Sequence, residues 1–120
     1  GEAKTLLEAM TKLLDNSRQI STNLPSYSDF LASLPIEAKM HPEFSDLLQQ
    51  RADHQDRTFR KLASIGIESG EIDFLSEDEA TELIRSIVMG WFFEKHFRQE
   101  EIPRSAESIL AIFEHLLNTR

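Results

Sequence analysis

Cysteine is absent from these 120 residues. That removes disulfides, thiolate catalysis and cysteine-type zinc sites in one step, and it is compatible with a reducing compartment. Long apolar runs are absent too. None approaches the roughly 18 residues that a membrane span needs, and the N-terminus has no basic stretch followed by an apolar signal core. A cytoplasmic protein without a membrane partner is therefore the expectation. Basic excess is also lacking: 13 Lys and Arg stand against 21 Asp and Glu, a formal charge of -8. This is the wrong sign for a surface that must neutralise phosphates, so these residues are not expected to grip DNA.

The chemistry of catalysis is equally thin. The four histidines, His41, His54, His96 and His115, have no second histidine at ligand spacing on one helical face. Glu94 and His96 are two apart and diverge. No nucleophile elbow or phosphate loop is present, and Asp53 and Asp56 fall on a solvated face. The expectation is a protein that is not an enzyme, with no catalytic residues, metal site or cofactor.

What is present is the composition of one globular domain, with 40% hydrophobic and 28% charged residues. The length suffices to close a single core, so residues 1–120 are read as one domain. Glycine and proline number four each, and the prolines punctuate the chain. Ala3, Leu6, Leu7, Met10, Leu13, Leu14 and Ser17 recur at three and four spacing, which predicts a first helix over 2–21. Leu24-Pro25 interrupts it, and Ser26 with Asp29 reads as a capping pair for a short second helix that carries Phe30 and that Pro35 ends. Pro42 suits a first helical position. From there to Ser69 the stripe Phe44, Leu48, Ala52, Phe59, Leu62 and Gly66 predicts a long third helix, with Gly70 as a left-handed C-cap. Ser76-Glu77-Asp78-Glu79 is a capping box opening a fourth helix to about Gln99. Pro103 breaks that helix and Ser105 starts a fifth. No strand pattern appears, so the fold class is all-α, a bundle of about five helices. Residues 71–101, with nine acids against three bases, hold -6 of the charge. Carboxylates there suit a helix start.

The fourth helix carries Ile87, Val88, Met89, Trp91, Phe92, Phe93 and Phe97, which at about 100° per residue point in nearly every direction. A helix apolar all round must be covered all round. Leu83, Ser86, Ile87, Gly90 and Phe97 share one flank, and the small Ser86 and Gly90, four apart, let another helix approach closely. The fifth helix adds Ile109, Ile112, Phe113 and Leu116. The last two helices are therefore expected to form a four-helix bundle with a second copy about a two-fold axis.

Gln55 falls at the centre of the third helix's apolar stripe, and a polar group there needs a partner. Either it bonds a neighbouring group, or it faces a pocket with a few polar groups among apolar walls. The pocket is expected between helices one, three and four. Met10, Leu14, Phe59, Leu62, Trp91 and Phe92 would wall it, Phe30 and Val88 would add to the walls, and Gln55 would be the polar anchor. A small hydrophobic effector with one hydrogen-bonding group fits that description.

The order of elements carries a resemblance. A long helix ends Ile67-Glu68-Ser69-Gly70-Glu71-Ile72, and after a capped loop comes Glu79-Ala80-x-x-Leu83-Ile84-x-x-Ile87-Val88-x-Gly90. This resembles the effector-binding and dimerisation domain of TetR-family transcriptional regulators. The resemblance implies a homodimer in which a small molecule in the helical core changes the spacing of two DNA-reading heads. Those heads would belong to a basic helix-turn-helix segment that nothing here matches, so DNA would be a partner only through a missing N-terminal domain. The alternative from another class is a helical dimerisation or adaptor module that binds a protein and no small molecule. A cavity of several hundred cubic ångströms favours the first reading, a filled core with an exposed apolar groove the second.

Overall fold

Thr5 starts the first helix: its hydroxyl accepts the Glu8 N–H at 3.1 Å, satisfying one of the four amides that a helix N-terminus leaves unpaired. In the computed structural model, which describes residues 3–98, 111 and 114–118, this helix, α1, spans Leu6–Asn23. It is followed by α2 (Pro25–Met40), a 3-10 turn (Pro42–Phe44), α3 (Ser45–Glu68) and α4 (Glu77–Arg98). The described residues are all-helical apart from turns, with no strand. Ala111 and residues 114–118 are helical as well, within the segment read as a fifth helix.

Three boundaries differ from the sequence reading. Pro35 does not end α2 but sits inside it, and the helix continues to Met40, where the His41 N–H donates to the Glu37 carbonyl at 2.7 Å. An interior proline removes one amide donor and crowds the carbonyl four residues back, at a cost of about 3 kcal/mol. It is tolerated here beside Leu34, which is buried against the rest of the bundle. The N-cap of α2 is Leu24 with no side-chain cap bond, Pro25 supplying the first turn instead of the expected Ser26–Asp29 pair. The long helix begins at Ser45 rather than at Pro42, which opens a separate 3-10 turn.

The α3–α4 loop follows its sequence signals closely. Gly70 has φ 83°, the left-handed region that a residue without Cβ adopts freely. The Ser76 N–H donates to Glu79 Oε1 at 3.0 Å and the Glu79 N–H donates to Ser76 Oγ at 3.1 Å, the reciprocal pair of a capping box. Less legible was Glu71. The turn at Gly70 sends its carboxylate beneath α1, where the N–H groups of Leu6 and Leu7 donate to its two oxygens at 2.6 and 3.3 Å. An acidic side chain thus sits at the positive end of a helix 64 residues earlier in the chain.

The main core lies at this end of the bundle. Leu6, Met10, Leu62, Ala63, Ile72, Ala80 and Ile84 are buried together there. A small residue lets α3 pack closely against α1 and the α3–α4 loop. A Cβ built on Gly66 would lie 2.9 Å from Ile72 Cδ1 and 3.1 Å from Leu6 Cδ2. Thr81, only 1% exposed, turns its hydroxyl back to the Glu77 carbonyl at 2.7 Å, so the one polar residue buried among the described residues is satisfied within its own helix. On the surface, Arg60 bridges Glu77 and Asp78 at 3.2 and 2.9 Å, and Arg85 meets Asp56 at 3.3 Å.

Candidate functional site

The two halves of α3 differ in what they offer the bundle. From Phe59 onward the inward positions are Phe59, Leu62, Ala63 and Gly66, all buried. Before Phe59, the same helix turns Leu48, Arg51, Gln55 and Thr58 toward α1, α2 and α4. Side chains of this kind cannot fill the middle of a helical bundle with apolar volume. A cavity of about 250 Å³ stands there.

All four helices line it. From α1 come Leu13, Leu14, Asn16, Ser17 and Ile20, and from α2 Leu31, Leu34 and Pro35. From α3 come Leu48, Arg51, His54, Gln55, Thr58 and Phe59, and from α4 Val88, Met89, Phe92 and Phe93. The walls are therefore mainly aliphatic and aromatic, with a polar strip contributed by α3 and the last turns of α1. Leu14 and Trp91 form a small buried cluster of their own, with Phe92 packed against it.

Of the residues expected at the pocket, Leu14, Gln55, Phe59, Val88 and Phe92 line this cavity. Met10 and Leu62 do not, because they are packed in the main core. Trp91 is buried against Leu14 and does not line the cavity. Phe30 also stands elsewhere, with its ring edge-on to Phe44 at 5.9 Å between centroids. The cavity sits further from the α3–α4 loop than expected, and α2 contributes Leu31, Leu34 and Pro35 to its wall in place of the expected Phe30.

Gln55 is half-buried on the cavity wall. Among the described residues neither its amide nor the Arg51 guanidinium, one turn earlier, has a side-chain hydrogen bond or ion pair. Of the two possibilities for Gln55, the one in which it bonds a neighbouring group does not hold. The lining contains no Asp or Glu. No group of three or more histidines and carboxylates able to hold a metal occurs among the described residues.

The flank of α4 expected to meet a partner is open in its middle. Ser86 and Gly90 are exposed, and a Cβ built on Gly90 would have no atom within 4 Å. Leu83 is half-buried, while Ile87 packs against the main core. Phe93 is 43% exposed and Leu116 47%. Ile109, Ile112 and Phe113 lie outside the described residues, as does the side chain of Phe97. No helix among the described residues is long and apolar enough to cross a membrane. Compared with known proteins, the chain matches no family model, no curated protein and no solved structure.

Proposed function

We propose that this chain is a ligand-sensing and dimerising regulatory domain, as its resemblance to TetR-family regulators implies, with a small, largely apolar effector held in the cavity between α1, α2, α3 and α4. The observation that carries this reading is the cavity itself. A bundle whose core is dense at one end keeps about 250 Å³ open at the other, with Gln55 and Arg51 on its wall and unpartnered among the described residues. An apolar cavity left empty forfeits dispersion contacts and transfer energy, and a ligand that fills it restores both. Such a ligand alters a regulator only if it binds two arrangements of the dimer with different affinity. The second copy belongs on the α4 flank formed by Leu83, Ser86 and Gly90, beside the exposed Phe93. DNA reading belongs to a segment outside these residues.

The test pairs two measurements on the purified chain. A thermal-shift screen of apolar metabolites, lipids and aromatic compounds is expected to raise the melting temperature with ligand concentration. Phe59→Ala and Gln55→Leu should reduce that shift. Native mass spectrometry is expected to report a dimer, which Gly90→Trp and Leu116→Asp weaken. A chain that binds nothing in the screen and stays monomeric at micromolar concentration overturns the reading.

A further inference from the structure

The cavity's polar strip has a sign. In a chain of net charge -8, its lining holds a guanidinium and an imidazole, Arg51 and His54, and no carboxylate. The acids nearest in sequence on α3 are engaged elsewhere: Gln49 donates to Asp53 at 2.9 Å, and Asp56 takes Arg85 at 3.3 Å. Arg51 has neither an ion pair nor a side-chain hydrogen bond among the described residues. A guanidinium facing open water needs no partner, but Arg51 is half-buried on the wall of an apolar cavity, where its five donors are partly withdrawn from solvent. One helical turn on, at i+4, Gln55 offers an amide on the same wall, also unpartnered.

Resting on the effector-binding reading above, we infer that the cavity takes a monocarboxylate with an apolar body, its carboxylate held by Arg51 and Gln55. The planar fork of Arg matches a carboxylate in two parallel hydrogen bonds, and the Gln amide serves a remaining lone pair. The apolar body then lies against Leu14, Leu34, Phe59, Val88 and Phe92. Size limits the body. A cavity of ~150 Å³ holds a benzene, so one of about 250 Å³ holds about ten non-hydrogen atoms. Octanoate, with eight carbons and two oxygens, matches that volume. A neutral or cationic ligand of equal size would leave Arg51 unpaired in the occupied cavity. The discrimination by charge therefore comes from the protein side.

The experiment titrates the full chain with octanoate and, separately, with 1-octanol, which has the same chain and no charge, and reads affinity by calorimetry and melting temperature. Octanoate is expected to bind roughly tenfold or more tighter than octanol, since a hydrogen bond to a charged group outweighs a neutral one by that order. Arg51→Leu should remove the preference by weakening octanoate about tenfold relative to octanol. Arg51→Lys, which keeps the charge and loses the fork, should fall between. Unliganded melts of each variant report whether folding is intact, and Gln55→Leu provides a second variant if Arg51→Leu does not fold. Octanol binding as tightly as octanoate, or octanoate affinity indifferent to both Arg51→Leu and Gln55→Leu, overturns the carboxylate assignment and leaves the cavity a neutral ligand site. Failure of both amphiphiles, while other compounds of the broader screen bind, also overturns the carboxylate alone. Failure of every compound of either charge overturns the effector-binding reading with it.

Discussion

The end of the bundle beneath the α3–α4 loop and the end around the cavity are made from the same four helices, yet they are packed differently. At the first, Ala63, Gly66 and Ala80 bring backbones together and Leu6, Ile72 and Ile84 fill what remains. At the second, α3 contributes Arg51, Gln55 and Thr58 instead, and a void persists. The difference teaches where stability and recognition reside. Close packing gains both transfer energy and dispersion, so the loop end holds the fold together. The cavity end gives up part of that gain, and it is there that the proposed effector would sit.

The largest expected effect tests this division directly. Ile84→Ala or Leu6→Ala, at fully buried positions of the main core, should lower unfolding free energy by about 2–5 kcal/mol in urea titrations. Leu31→Ala on the half-buried cavity wall should cost less than either, because its side chain already borders empty space. Equal losses at the two ends would erase the distinction.

Two glycines sharpen it further. Gly66→Ala should destabilise by about 1–3 kcal/mol, since its methyl group would press on the ends of the Ile72 and Leu6 side chains, both fully buried. Gly90→Ala places a methyl group in open space on an exposed helix face, and should stabilise the monomer by about 0.5–1 kcal/mol through helix propensity. Opposite signs are the outcome to look for in melts of the dilute monomer, whereas two losses at concentrations where the chain pairs would fit the second copy proposed over Gly90.

A smaller effect than those in the core concerns the loop that closes the packed end. Ser76→Ala should cost about 1 kcal/mol by removing the cap of α4. The Glu79 carboxyl is held below its ordinary value of 4.5 by the backbone N–H of Ser76 and then by the Ser76 hydroxyl. A carboxyl that titrates lower in the folded chain stabilises fully above its unfolded value, and that contribution disappears as pH falls through the lowered one. The deficit of Glu79→Ala relative to wild type should therefore be constant near neutrality and shrink on acidification below 4.5. A deficit independent of pH would show that the carboxylate's charge adds nothing to the cap.

Local chemistry was legible where one short stretch decides the outcome. The Ser76–Glu79 box, the left-handed Gly70 and the helical stripes of α1 and α3 all follow from residues within one turn of each other, so the sequence by itself determined an all-helical chain and most of its boundaries. The polar Gln55 within an apolar stripe also marked the right stretch of α3 for a cavity. Pro35 shows where this reasoning stops: its local penalty is real, but burial of Leu34 and the continuation of α2 to Met40 are gains the neighbouring sequence does not display. Only the tertiary structure brought Glu71 to the N-terminus of α1, took Met10, Leu62 and Trp91 away from the cavity, and put Leu31, Leu34 and Pro35 of α2 on its wall in place of Phe30. The physical reason is that a stripe fixes which side of a helix is buried, whereas the distance between facing helices, set by pairs such as Gly66 of α3 with Leu6 of α1, decides whether the buried side is filled or left open.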